Sequence, residues 1–302
     1  KEEVNVYLAN RRQEFLVNEQ KVQTLARRHF LPLIFGAGHP YGKIENEKDF
    51  LQLNVEDLKA FHHCHYHPGN CKVLIAGRPP VKWKEMLDEN LGSDWAINRT
   101  AKTDIVFPET YPGKSFEKIQ KEGALQAAMR IGKQIINKSH PDFPALSIAN
   151  TLLGGFFGSR LMQNIRQDKG YTYGIGSLLV SFRHTGMFFI STQVGTEVCK
   201  PALDEIMKET ERMGNELAEG EEIDILRNYL LGAMVRSMDG PFAQSDKLRD
   251  LLGQGLDFSF TRRAIEEINS ISAKRICEVS QKYLNPGTMS VLIAGDISDI
   301  SG

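Results

Sequence analysis

The chain has 302 residues, 41% hydrophobic and 25% charged, with 37 basic against 38 acidic side chains and a formal charge of −1. This length and mix point to two packed domains and exclude a disordered, collagen-like or coiled-coil chain. The balanced charge speaks against nucleic acid or an anionic membrane as partner, and no apolar run approaches the roughly 18 residues of a membrane helix.

In chain order, Lys1 to Gln23 reads as a charged helix already under way, with no initiator Met and no signal peptide. The chain therefore reads as a fragment of a longer protein. Its compartment stays open, with the cytoplasm preferred over the periplasm. A helix around Val55 to Phe61, with Leu58 inward, leads into His62-His63-Cys64-His65-Tyr66-His67. His63 and His67 have helical ligand spacing. However, Pro68 stops the helix and no carboxylate partner sits in the run, so adventitious metal binding is the expectation. The four cysteines show no Cys-x-x-Cys spacing and read as free, mostly buried thiols.

The segment His67-Pro68-Gly69-Asn70-Cys71-Lys72-Val73-Leu74-Ile75-Ala76-Gly77 returns as Asn285-Pro286-Gly287-Thr288-Met289-Ser290-Val291-Leu292-Ile293-Ala294-Gly295, at an offset of 218. Both copies follow a helical stretch, pass a Pro-Gly turn and enter an apolar strand expected to be buried. Glu2-Glu3-Val4-Asn5-Val6 likewise resembles Glu221-Glu222-Ile223-Asp224-Ile225. So long a period excludes a solenoid and predicts a duplicated domain. Residues 1–97 then form the later part of a first domain, truncated at its start. Residues 98–114, with Pro108, Pro112 and Gly113, form a linker, and residues 115–302 form the second domain.

Within the second copy, Phe116 to Lys133 alternates like strand. Pro141 to Leu153 predicts a helix with Ile148, Leu152 and Leu153 inward and Gly154 as its stop. Arg160 to Gln167 predicts a short helix. Tyr173, Ile175, Ser177, Leu179 and Ser181 alternate on one strand face, turn at Arg183 to Gly186, and return as Met187 to Val194. Two amphipathic helices follow, over Pro201 to Met213 and Ile223 to Met238. Strands and helices are segregated, so the expected class is α+β.

Gly154-Gly155-Phe156-Phe157-Gly158-Ser159 opens a helix, but a helix precedes it and no Gly-Lys-Ser/Thr follows. The segment is expected to be a connector with Ser159 as N-cap rather than a phosphate loop. Gly170 ends the next helix, which places Arg166 in its last turn and Tyr173 at the start of a strand. An arginine fork suits a carboxylate or peptide carbonyl, and a phenol can donate to an oxyanion. On residue chemistry alone, a surface arginine beside a packed strand tyrosine is the stronger alternative.

Taken together, His39-Pro40-Tyr41-Gly42, the Pro-Gly-Asn turn with its strand, and Leu152-Leu153-Gly154-Gly155 through Ser159-Arg160-Leu161 to Arg166 and Tyr173 resemble the pitrilysin/insulinase family of zinc peptidases, in its processing-peptidase-like branch. The resemblance implies two homologous α+β domains, mainly antiparallel sheets with helices on one face, enclosing peptide between halves or subunits. It implies zinc held by His-x-x-Glu-His and a distant Glu. No His-x-x-Glu-His occurs in this sequence. The implied zinc then belongs to the full-length protein or a partner subunit, with none expected in this fragment. Glu14 is the nearest match for the distant Glu. Arg166 and Tyr173, seven apart, match the family's substrate-binding pair. The implied partners are a peptide substrate and a homologous subunit, in a homo- or heterodimer. The alternative is a non-catalytic scaffold or peptide-binding subunit.

Overall fold

The computed structural model describes residues 2–92, 107 and 113–297. The chain divides into two compact units. One draws on Lys1–Asn18, Glu45–Val106 and Ser237–Arg249, the other on Glu19–Ile44, Phe107–Arg236 and Asp250–Gly302. Most of the linker expected over 98–114 lies outside the described residues. Residues 19–44, expected with the first domain, group with the later part of the chain.

The larger unit is built on a five-stranded sheet: β1 (Phe116–Gln120), β2 (Gln126–Ile135), β3 (Thr172–Ser181), β4 (Gly186–Gly195) and β5 (Ser290–Gly295). Its order is β1-β5-β2-β4-β3, antiparallel except for the β1–β5 pair. Together with its packed helices this makes the class α+β, as expected. The hairpin expected over 173–194 is β3 and β4.

Eleven helices accompany the sheet among the described residues. They are α1 (Glu2–Asn18), α2 (Val22–Phe35), α3 (Glu47–Gln52), α4 (Val55–His65), α5 (Trp83–Leu91), α6 (Phe143–Asn150), α7 (Cys199–Asn215), α8 (Gly220–Ser237), α9 (Gly240–Gly253), α10 (Phe258–Ser270) and α11 (Ala273–Tyr283).

Strand alternation sends the two halves of each strand's side chains to opposite faces. On one face Ala127, Met129, Ile131, Phe188, Ile190, Val291 and Ile293 meet Leu146, Leu153, Ile206, Ile276 and Val279 of the helical layer. On the other, Ala128, Phe189, Leu292 and Ala294 meet Ala26, Phe30 and Ile34 of α2. Each large side chain so buried contributes roughly 1.5–3 kcal/mol. Of the four cysteines only Cys199 is buried, which corrects the expectation for the others.

Helix bounds recur at the offset found in the sequence. Shifting by 218 takes α2 onto α9, α4 onto α11, and the Pro68–Asn70 turn onto Pro286–Thr288, residue for residue. The burial differs. β5 is buried throughout, whereas residues 71–77 form no strand and leave Val73 52% exposed. The expected buried strand is absent because no described strand offers 71–77 a ladder, and unladdered backbone prefers water. No described residue of the smaller unit is buried, Leu58 included. Its folding is local: Asn54 caps α4 by accepting the amides of Glu56 and Asp57, and Arg12 ties α1 to Glu47 of α3 at 2.8 Å.

Asp142 joins α6 to α11, accepting from Tyr283 at 2.7 Å, Arg275 at 2.8 Å and Lys282 at 2.9 Å. Hydrogen bonds from Lys282, Tyr283 and Arg275 hold its carboxyl far below the usual carboxylate range. Asp142→Ala should lower stability by about 2 kcal/mol, read as a shift in urea midpoint at unchanged slope. A depressed carboxylate stabilises fully above its unfolded pKa of about 3.9, and that contribution fades as pH falls below it. Wild type and variant should therefore converge in acid; a gap that persists there would contradict the assignment.

Candidate functional site

The segment from α6 to β3 carries the candidate residues. The helix begun by α6 widens into a π-helical turn over Thr151–Gly155, and a second π turn spans Met162–Asp168. Such widened turns are rare and concentrate at functional sites. Ile148, Leu152 and Leu153 are buried as expected. Gly154, however, does not stop the helix. It lets the π turn lie directly on β3, since a Cβ there would stand 2.6 Å from the Ser177 nitrogen. Ser159 is buried and among the described residues its hydroxyl has no hydrogen-bond partner, so it is not the expected side-chain cap; its carbonyl accepts from the Gln163 amide at 2.9 Å.

Arg160 fixes the loop that follows Gly154. It forms a two-pronged pair with Glu222 in the first turn of α8, both bonds at 2.8 Å. That hydrogen bonding raises the guanidinium pKa above its ordinary value. Beside it lies a polar cleft of about 600 Å³. There Asn164 donates to Glu209 at 2.9 Å, and Arg212 donates to the same carboxylate at 2.8 Å. These bonds anchor the second π turn to α7 and hold Arg166 on a fixed segment.

Arg166 stands with its guanidinium 5.0 Å from the Phe157 ring centroid. Such a stack orients an arginine while leaving its donors available. The segment closes with the Lys169 amide on the Asn164 carbonyl and the Tyr171 amide on the Ile165 carbonyl, both at 3.0 Å. Gly170 adopts φ +66°, the left-handed conformation that ends the helix as the sequence predicts.

Tyr173 departs from the alternation read in the sequence. Ile175 and Ser177 are buried, whereas Tyr173 is 93% exposed. The cause is a β-bulge: Thr172 pairs with Val194 and Ile175 with Thr192, so Tyr173 and Gly174 together oppose Gln193. One extra residue turns the phenol to the opposite face of the sheet. Two threonines lock the bulge. The Thr172 hydroxyl accepts the Gly174 amide at 3.1 Å and lies 2.7 Å from the Gln193 carbonyl. The Thr192 hydroxyl is 3.0 Å from both the Thr172 hydroxyl and the Gly174 carbonyl.

Arg166 and Tyr173 thus share the larger unit, while Glu14 belongs to the smaller one. No hydrogen bond joins Arg166 to Tyr173 among the described residues. Glu14 is exposed and bonded to Arg11 at 2.7 Å. In the histidine run, His62 stacks on Tyr66 and His65 packs against Phe61. Among the described residues no three His, Cys, Asp or Glu side chains gather as a metal site. These residues do not fit a zinc ion.

Residues 52–230 match the family model described as the peptidase M16 inactive domain. The chain belongs to this family. The finding agrees with the resemblance read from the Gly-Gly, Ser-Arg-Leu, Arg and Tyr positions. Among relatives, the chain is 23% identical over 257 residues to a protein of Bacillus subtilis named uncharacterized zinc protease YmxG, covering 84% of this chain and 61% of that one. It is 26% identical to the non-peptidase homolog YmxG of Helicobacter pylori, over 54% of this chain and 38% of the other. In structure it is similar to a peptidase M16 inactive domain from Pseudomonas fluorescens, with TM-score 0.83 and 21% identity over 98% of this chain and 72% of that one. The chain spans about three fifths of the length of the first of these relatives.

Sequence reasoning missed Phe157, Arg160 and the threonine pair. A signal for the last was available, since Tyr-Gly-Ile after Thr172 breaks a clean alternation of polar and apolar residues. Thr172→Val should speed hydrogen exchange at the Gly174 amide by about tenfold and cost about 1 kcal/mol of stability. Unchanged exchange at Gly174 would show that the hydroxyl does not hold the bulge.

Proposed function

We propose that this chain is the substrate-binding, non-catalytic half of an M16-type peptidase. Arg166 and Tyr173 hold an extended peptide in the family's substrate-binding manner, and the chain is inactive alone. Zinc is supplied by the remainder of the full-length protein or by a homologous subunit, in a homo- or heterodimer. The observation that carries the reading is the locked bulge. A tyrosine turned almost wholly to solvent gains little from packing, yet two hydroxyls are committed to holding it there. Arg166 adds an oriented cation on a segment anchored by Asn164 and its neighbours. Arginine donors suit peptide carbonyls, and a phenol adds a hydrogen-bond donor at the far side of the same chain segment.

The shared bounds of α2 with α9 and of α4 with α11 support reading two homologous domains, with 1–97 the later part of the first and 115–302 the second. The scaffold alternative draws on the Helicobacter pylori relative, which is named a non-peptidase homolog. A scaffold would need no oriented Arg and Tyr.

Fluorescence anisotropy with labelled unstructured peptides separates the two readings. Saturable binding is expected, weakened about tenfold by Arg166→Ala and by Tyr173→Phe. Peptide binding that neither substitution moves would remove the pair from the site. Absence of any peptide binding, with stable association to a homologous subunit, would favour the scaffold.

A further inference from the structure

The bulge places Tyr173 on the same sheet face as a second group that the peptide-holding pair does not use. Opposed residues in antiparallel strands share a face, so the register sets out one row across the sheet: Glu117, Leu292, Arg130, Ser191 and Gly176. The next row toward the bulge carries Gln193, opposed by Tyr173 and Gly174. The row on the other side carries Phe189 and Leu178, the latter 49% exposed. Gly176 has no side chain, and α2 packs over β2 and β5. Ser191, Gln193 and Gly176 are only partly buried, so the row can be reached from the β3 edge of the sheet.

Arg130 stands in that row with its guanidinium 4.6 Å from the Phe189 ring centroid. It is half-buried. Burial and the neighbouring Arg27 pull its pKa down to about 10. Among the described residues neither Arg130 nor Arg27 has an ion pair or a side-chain hydrogen bond. The carboxylate in the same row, Glu117, stands two strands away beyond buried Leu292, about 10 Å by strand spacing, and acts on His29. A half-buried guanidinium stacked on Phe189, with no anion beside it among the described residues and the exposed cation Arg27 in the same field, is an arrangement that a bound carboxylate would complete, since a partly desolvated charge gains most from a partner. Ser191, opposite Arg130, adds a hydroxyl donor.

Resting on the peptide-binding reading above, we propose that Arg130, with Arg27 and Ser191, is a subsite for a carboxylate of the bound peptide, an Asp or Glu side chain. Two strands across and two residues along, the Cα atoms of Arg130 and Tyr173 lie about 12 Å apart. That is the reach of three to four extended residues. The subsite therefore selects an acidic residue three or four positions from the one beside Tyr173. A free C-terminal carboxylate has the same chemistry, so the peptide series must separate the two.

Two measurements on the 302-residue chain test this. In the first, the arginine Nε–H resonances are followed by NMR during titration with N-acetylglutamate and, in parallel, N-acetylglutamine. Saturable shifts at Arg130 with the acid alone are expected, lost in Arg130→Gln and reduced in Arg130→Lys. No shift, or equal shifts with both compounds, overturns the subsite whether or not peptides bind. In the second, C-terminally amidated peptides carrying Glu or Gln at each position in turn are compared by anisotropy. One Glu position should bind about tenfold tighter, and Arg130→Gln should abolish that preference without abolishing binding. A preference seen only with a free C-terminus overturns the side-chain assignment. Binding through Arg166 and Tyr173 with no Glu preference overturns the subsite and leaves the peptide reading standing. Acetylglutamate binding without any peptide binding overturns the peptide assignment itself.

Discussion

Everything in the larger unit hangs on β2, which is laddered along both edges, to β4 on one side and β5 on the other. A strand without a free edge cannot slip register without breaking two ladders at once, so its side chains are committed to their faces. Ala127, Met129 and Ile131 commit one face to the helical layer, and Ala128 commits the other to α2. The sheet is thereby a rigid plate with both faces partly covered. Positions at its rim are defined to the accuracy of a backbone ladder rather than of a loop.

That rigidity explains where a fault is tolerated. β3 is an edge strand, so an added residue at Tyr173 and Gly174 displaces no further strand. The same insertion in β2 would put two ladders out of step. The bulge is satisfied locally by Thr172 and Thr192, whose hydroxyls meet the carbonyl and amide freed by the broken pairing. The result is a phenol presented from a fixed strand. Eight residues earlier Ile165 is buried, so the π turn that carries Arg166 is seated on the same core.

The smaller unit shows the converse. Its helix α4 starts and stops where its counterpart α11 does, because caps and breakers act within a few residues: Asn54 at the head of α4, Ser272 at the head of α11, and Pro68 and Pro286 after them. Burial is not local. α11 buries Ile276 and Val279 against α6 and α7, while α4 buries nothing and leaves Phe61 exposed. Equal local instructions therefore yield a packed element in one place and an unpacked one in the other, according to whether, among the described residues, a sheet lies beneath them.

Much of this was legible in the amino-acid order. The α+β class, the hairpin of β3 and β4 and the Gly170 helix end follow from periodicity and turn chemistry, which act over a few bonds; the recurrence at 218 was read from the repeated segment itself, and the Arg166/Tyr173 pair from the family resemblance. The tertiary structure alone decided the rest. Tyr173 faces away from Ile175 because of a pairing fault with β4, some twenty residues distant. Arg160 serves as an anchor because Glu222 comes to meet it, and Arg130 stacks on Phe189, which reaches it from the neighbouring strand β4. Such facts depend on partners brought together by folding, and no window of sequence contains both members of the pair.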